Sequence, residues 1–252
     1  MLRGYYTAAN GIINEQRILN VISNNIANVK TAGFKSDTAV PTTFDESLLL
    51  LRGNPSQTGT IRYRTIDYTK ASLSEGTYEN TGSRLDLALR GPVHFNLQSY
   101  QNGEVLLTRN GQFSIDNEGY LALGSDGRVL DNNQQPIQIG SADFVVSKDG
   151  TIATDDGRTF TLGLTYLAPD TNAEKIGENT YRPYDEAVQT GNIPEGTNFS
   201  VMQGIYERSN VDITDEILKS TTAQGVFNAC TSALKILNSV NQITCNTLAK
   251  IN

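Results

Sequence analysis

Apolar residues recur three and four apart at both ends of this chain, while the roughly 180 residues between them are broken every few positions by Gly and Asx turns. At the N-terminus the series is Tyr5, Ala8, Ile12, Leu19, Ile22, Ile26 and Val29, with Glu15 in one of the expected apolar places. It predicts a helix from about Leu2 to Asn28, on the order of 40 Å long at the standard rise, with Gly33 as a stop after it. At the C-terminus Ile213, Ala223, Phe227, Cys230, Leu234, Leu237, Leu248 and Ile251 repeat the spacing, interrupted at Asn241 and Thr244. Asp212 or Thr214 is placed to cap that helix, and Asp215 and Glu216 put negative charge in its first turn, where the dipole favours it. Long amphipathic helices need partners to cover their apolar stripes. The two helices either pair inside one monomer or cover one another between copies, and polar residues in such seams fix register.

The middle of the chain reads as β-structure. Residues 36–80 are rich in Thr, Ser and Gly and hold Pro41 and Pro55, which predicts an extended or irregular connector with room for a hairpin. From Arg84 short strands are expected at Leu85 to Leu89, His94 to Leu97, Val105 to Thr108, Gln112 to Ile115, Tyr120 to Leu123, Asp143 to Val146 and Phe160 to Leu167. Asn102-Gly103, Asn110-Gly111, Asp126-Gly127, Asp149-Gly150 and Asp156-Gly157 supply hairpin turns between them. The expected fold class is α+β: long N- and C-terminal helices pairing as a coiled coil around a central antiparallel β-rich domain. The corresponding division is 1–35 for the first helix and its Asn-rich end, 36–80 for the connector, 81–206 for the β-domain and 207–252 for the second helix.

Several functions are disfavoured by composition. The 20 basic and 27 acidic residues give a net charge of -7, and no basic stripe is available for a phosphate backbone, so no nucleic-acid partner is expected. No apolar run reaches membrane-spanning length, and Asn10, Gly11, Asn14 and Glu15 break the apolar core a secretory signal would need, so neither membrane insertion nor a cleaved signal is expected. Cys230 and Cys245 lie about 22 Å apart along one predicted helix, beyond disulfide reach. The single histidine, His94, has no Cys/His/Asp grouping around it in the sequence. The acidic turns at Asp116 to Glu118, Asp149 and Asp155-Asp156 lack the remaining ligands of a calcium loop, and Arg84, Arg90 and Arg109 read as strand-edge or local salt-bridge residues. No catalytic, cofactor-binding or metal site is expected. The competing class is a secreted β-rich sugar-binding or hydrolytic protein that uses its helices only to oligomerise.

Three segments in order resemble the bacterial flagellar rod and hook family, specifically the rod proteins of the basal body. The first, Tyr6 to Lys35, contains TAANGIINEQRILNVISNNIANVKTAGFK, an amphipathic helix followed by an Asn-rich stretch and a Thr-x-Gly-Phe-Lys turn. The centre matches through Leu85-Asp86-Leu87-Ala88 and Thr108-Arg109-Asn110-Gly111-Gln112-Phe113. The last, Gln203 to Leu248, holds Gly204, Ser209-Asn210-Val211-Asp212 and Ala223-Gln224. Departures from the family pattern stand at Gly91-Pro92-Val93-His94-Phe95 and at Gly225, Val226 and Phe227.

The resemblance implies a structural subunit exported through the flagellar type III apparatus without a cleaved signal. Such subunits polymerise with copies of themselves and other rod and hook proteins into a hollow tube. It implies that Ile12, Leu19, Ile22, Ile26, Phe227, Leu234 and Leu237 pack in subunit interfaces and that Asn24, Asn25, Asn28 and Asn210 set register there. Phe44 and Leu48, in Phe44-Asp45-Glu46-Ser47-Leu48, resemble the export-gate motif of rod and hook subunits.

Overall fold

A computed structural model describes residues 2–43, 64–168, 173–177, 179–183 and 193–249. The chain divides into two compact units, each assembled from separated stretches of sequence.

The first unit takes residues 1–27, 37–70 and 212–252. Helix α1 spans Leu2–Ala27, helix α2 spans Ile213–Ala249, and strands β1 (Asp37–Thr43) and β2 (Arg64–Ala71) form a two-stranded sheet whose last residue falls in the other unit. At the standard rise the helices are about 39 and 55 Å long. The start of α2 is fixed by Asp212, whose Oδ1 accepts from the amides of Thr214 at 2.8 Å and Asp215 at 3.4 Å. These amides have no partner inside the helix, and a capping carboxylate there also meets the positive end of the dipole.

The two helices pack on one another and run antiparallel. A Cβ on Gly4 would stand 3.7 Å from Leu237, a Cβ on Gly11 would stand 2.8 Å from Cys230 Sγ, and Asn25 bonds Glu216. Seven residues up α1 from Gly4 to Gly11 thus match seven back along α2, and fourteen more to Asn25 match fourteen more back to Glu216. A register that repeats at sevens is what a three-and-four spacing on both helices predicts.

The second unit takes residues 28–36 and 71–211, and its strands pair antiparallel throughout. At its centre β5 (Val93–Ser99) lies between β6 (Val105–Thr108) and β9 (Gly127–Val129), and β13 (Leu164–Tyr166) also pairs with it. The sheet continues through β8 (Leu121–Leu123) and β7 (Ser114–Ile115) on one side, and through β15 (Thr180–Pro183) and β14 (Ala173–Lys175) on the other. A three-stranded sheet holds β10 (Phe144–Val146), β11 (Thr151–Thr154) and β12 (Thr159–Thr161). Two pairs complete the unit: β4 (Leu87–Arg90) with β16 (Ser200–Gln203), and β3 (Tyr78–Asn80) with β17 (Ile205–Glu207).

The period-two rule sorts the side chains of β5. Val93, Phe95 and Leu97 enter the main core with Leu87, Leu89, Phe113, Leu121 and Phe144. His94 and Asn96, on the other face, are buried as well, because a smaller cluster that includes Leu107, Leu167 and Tyr181 covers that side of the sheet.

One stretch fills in what the sequence left open and another differs from its expectation. Of the connector at 36–80, residues 37–43 and 64–71 pair with each other and 78–80 pair with β17, so part of it is regular β-structure. The single strand expected at Phe160 to Leu167 is two strands in different sheets. The chain changes partners at Gly163, where a Cβ would lie 2.5 Å from the carbonyl of Asp131 and where the Gly163 amide donates to Leu130. The first half alternates exposed and half-buried residues while Leu164 and Thr165 in the second are buried, but the apolar residues of both halves follow one another too closely to mark the switch.

Candidate functional site: a signature clasp and a helix pair

In the second unit the three family-like segments come together. Gly33 adopts φ +67°, and a Cβ on it would sit 2.3 Å from the backbone nitrogen of Asn110, so only glycine allows the first segment to lie on the central one. Gly111 meets the same limit against Leu87 O, to which an added Cβ would come within 1.6 Å, while the Leu87 amide donates to Gly111 O. Phe34 is fully buried beneath the Lys175 ammonium, 3.9 Å from its ring centroid.

Lys35 then reaches inward. Its Nζ donates to Glu207 Oε1 at 2.6 Å and to the Ser74 carbonyl at 2.5 Å. Glu207 Oε1 also accepts from the Gly76 amide at 2.7 Å, and Oε2 accepts from Arg109 Nη1 at 3.1 Å. The Glu207 carbonyl accepts from the Gly33 amide at 2.7 Å, and Arg109 further donates to Leu89 O and Gly91 O. The side chains of all three charged residues are at most 1% exposed. Burial drives the Lys35 ammonium down from the ordinary lysine value, the adjacent Glu207 carboxylate pulls it back up, and Arg109 adds to the depression. Two cations share one buried carboxylate, an arrangement that holds only while every member is present.

Asn210 ties the same region together. Its Oδ1 accepts from the Ser36 amide at 2.7 Å, and its Nδ2 donates to Ser72 O and to Ser74. Asn28 is a turn residue, accepting from Thr31 through both its carbonyl and its side chain. Arg84 is an exposed partner of Asp143, as strand-edge placement suggests, but Arg109 is not a strand-edge residue. Its packing beneath the first segment removes it from solvent. Glu207 stands in none of the sequence motifs; its nearest signal is its place two residues before Ser209-Asn210.

In the first unit Asn25 plays the corresponding part. It is 1% exposed, accepts from the Asp37 amide and donates to the Asp37 carbonyl, both at 2.9 Å, and donates to Glu216 Oε2 at 3.2 Å. One carboxamide thereby replaces a strand neighbour for Asp37 and also fixes the helix pair. Glu216 is completed by Lys219 at 2.9 Å. Ile22 is buried; Ile12, Leu19, Ile26, Phe227, Leu234 and Leu237 are half-buried, and Asn24 is exposed. Phe44 and Leu48 lie outside the described residues.

The acidic turns are occupied with local work. Asp116 Oδ1 accepts from the amides of Glu118 and Tyr120 while its Oδ2 takes Arg128 Nε, and Asp149 accepts from Thr151. Among the described residues no group of His, Cys, Asp and Glu is arranged to hold a metal ion, and no helix is long and apolar enough to cross a membrane.

Lys35, Arg109 and most of α1 lie in segments by which the chain matches known families. The family model for flagella basal body rod proteins matches residues 6–35, and that for the D1 domain of the flagellar hook proteins FlgE, FlgF and FlgG matches 88–159. The flagellar basal-body rod protein FlgG of Bacillus subtilis is 32% identical, aligning over 96% of this chain and 97% of its own length. The chain belongs to the flagellar basal-body rod family. Other relatives align over similar spans: FlhO, a flagellar hook-basal body complex protein of Bacillus subtilis, at 28% over the whole of both chains, and the flagellar basal-body rod protein FlgF of Caulobacter vibrioides at 29% over 94% of each.

Proposed function

We propose that this chain is a structural subunit of the bacterial flagellar rod. It polymerises with copies of itself and other rod and hook proteins into a hollow helical tube that transmits torque and encloses the export channel. The observation that carries the reading is the end-to-end similarity to rod proteins, combined with a helix pair that leaves large apolar side chains exposed along both members. Tyr5, Tyr6 and Ile13 on α1 and Ile217, Leu218 and Ile236 on α2 are each more than 40% exposed, the expected state of a unit whose cover comes from neighbours. In this reading α1 and α2 form an antiparallel coiled coil in the inner layer of the tube. The second unit, closed around its own core and clasp, is a spacer in this reading.

The chain reaches its place through the flagellar type III apparatus without a cleaved signal, Phe44 and Leu48 serving as the export-gate contact. Ile12, Leu19, Ile22, Ile26, Phe227, Leu234 and Leu237 contribute to subunit packing alongside the helix pair, and Asn24, Asn25, Asn28 and Asn210 hold the register of the surfaces that meet. Deleting the gene should abolish motility and complete basal bodies, with a tagged copy restoring both and co-purifying with the rod. Intact basal bodies in the deletion strain would rule the reading out.

A further inference from the structure

The apolar face of α2 is wider than its pairing with α1 requires. Phe227, Cys230, Leu234 and Leu237 make up the inner stripe. The residue immediately before each of them is also apolar: Val226, Ala229, Ala233 and Ile236, followed by Val240. These form a second stripe with the same three-and-four spacing, turned by about 100° from the first. All five are exposed, Ile236 at 64% and Val240 at 45%.

Toward the start of α2, this side of the helix pair opens into a groove of about 470 Å³ between Ile18, Val21 and Ile22 of α1 and Leu218 and Val226 of α2, with Ala39 of β1 along one side. Its lining carries three carboxylates, Glu15, Asp37 and Glu216, against one ammonium, Lys219, which Asp215 and Glu216 already pair, and Lys235 stands exposed beside Ile236.

We propose that the groove of one copy receives the Ile236–Val240 stretch of α2 from a second copy, joining copies head to tail. This rests on the reading of the chain as a rod subunit and names which surfaces meet. The second stripe is continuous with the seam between α1 and α2 and shares its period, and a helix with that spacing fits the furrow between two helices that have it too. Ala229 and Ala233 allow close backbone approach, and Lys235 of the incoming helix meets the carboxylates of Glu15 and Asp37. Val240 lies fourteen residues beyond Val226, about 21 Å along the helix. Donor and acceptor are therefore different patches, and contacts of that kind propagate into rings or filaments and do not stop at a pair.

The test is cysteine cross-linking of the full chain in a Cys230→Ala, Cys245→Ala background. Chains carrying both Val21→Cys and Val240→Cys should give a ladder of disulfide-linked multimers on oxidation, and mixing the two single variants should give only dimers. Absence of the ladder, or a Val240→Cys single variant that links to itself as readily as to Val21→Cys, overturns the proposal. So does linkage in cells only to a different protein. In parallel, Ile236→Asp with Val240→Asp should weaken self-association at least tenfold without moving the thermal midpoint, since both side chains are exposed. Undiminished association in that variant overturns the head-to-tail contact, whereas its co-purification with basal bodies would leave the rod reading intact.

Discussion

The two units of this protein finish their folding differently. In the β-unit Leu87, Leu89, Val93, Phe95 and Leu97 are at most 1% exposed, and even Lys35, Arg109 and Glu207 have been drawn inside and paired. In the helical unit, Ala223 is the buried apolar residue among the described positions of α2, while Ile236 is 64% exposed. The contrast arises from geometry. Sheets stacked face to face bury residues on both sides, whereas two isolated helices can cover only one stripe each. A unit that closes on itself needs no neighbour to complete its core; one left half-covered keeps apolar surface that a neighbour can still bury.

The sharpest way to break this comparison is to open the closed unit. Replacing Phe95 with Ala should cost about 3–5 kcal/mol through lost burial and a cavity. Replacing Glu207 with Ala should cost a similar about 3–5 kcal/mol, because it strands two buried cations. Urea unfolding read on the β-signal measures both. A Glu207→Ala protein as stable as the parent would mean that the clasp contributes nothing to closure.

A smaller effect is expected where the helical unit does have a buried polar contact. Asn25→Ala removes both bonds to the Asp37 backbone and the one to Glu216, and should cost about 1–3 kcal/mol. Hydrogen exchange at the Asp37 amide should accelerate while the amides of β5 stay protected.

Acid offers a third probe of the β-unit. Burial, reinforced by the positive charges of Arg109 and Lys35, pushes His94 well below its ordinary value of 6.5, and neither ring nitrogen has a hydrogen-bond partner among the described residues. The unfolded chain therefore takes up a proton near pH 6.5 that the folded chain refuses. Stability is full above that pH and falls below it, by up to about 1.4 kcal/mol per pH unit. Because His94 is the chain's one histidine, unfolding midpoints at pH 7 and 5.5 should differ in the parent and nearly coincide in His94→Gln.

The smallest effects separate covered from uncovered helix faces. Beyond its own chain neighbours and helix backbone, no described atom lies within 4 Å of where a Cβ on Gly225 would stand, so Gly225→Ala should stabilise α2 by about 1 kcal/mol. Gly11→Ala, aimed at Cys230 Sγ from 2.8 Å, should instead destabilise the pair. Ile236→Ala should change the unfolding free energy of the isolated subunit by less than about 0.5 kcal/mol.

Much of this architecture is legible locally. The helices run Leu2–Ala27 and Ile213–Ala249, within two residues of where apolar spacing and capping place them, and Val105–Thr108 is a strand as its residues suggest. Strand edges elsewhere differ by a few residues, and Phe160 to Leu167 is split in two, because a change of sheet leaves no mark on hydrophobic patterning. The candidate site is less legible. Lys35 and Asn210 stand in recognisable signatures, but their partners cannot be assigned from them. A side chain's period says which face it occupies, not what lies opposite.

Spacing, caps and turn dipeptides are short-range properties, and through them the chain alone specifies two long helices flanking an antiparallel β-region. The clasp is of another kind. Lys35 and Arg109 lie 172 and 98 residues from Glu207 in sequence, and only the closing of the β-unit brings the three charges into one buried site. The same holds for the helix pair: the three-and-four spacing shows that α1 and α2 need cover, but the meeting of Gly11 with Cys230 and of Asn25 with Glu216 decides which stripe they share. What remains uncovered, and so available to a neighbour, follows from that pairing and from no local pattern.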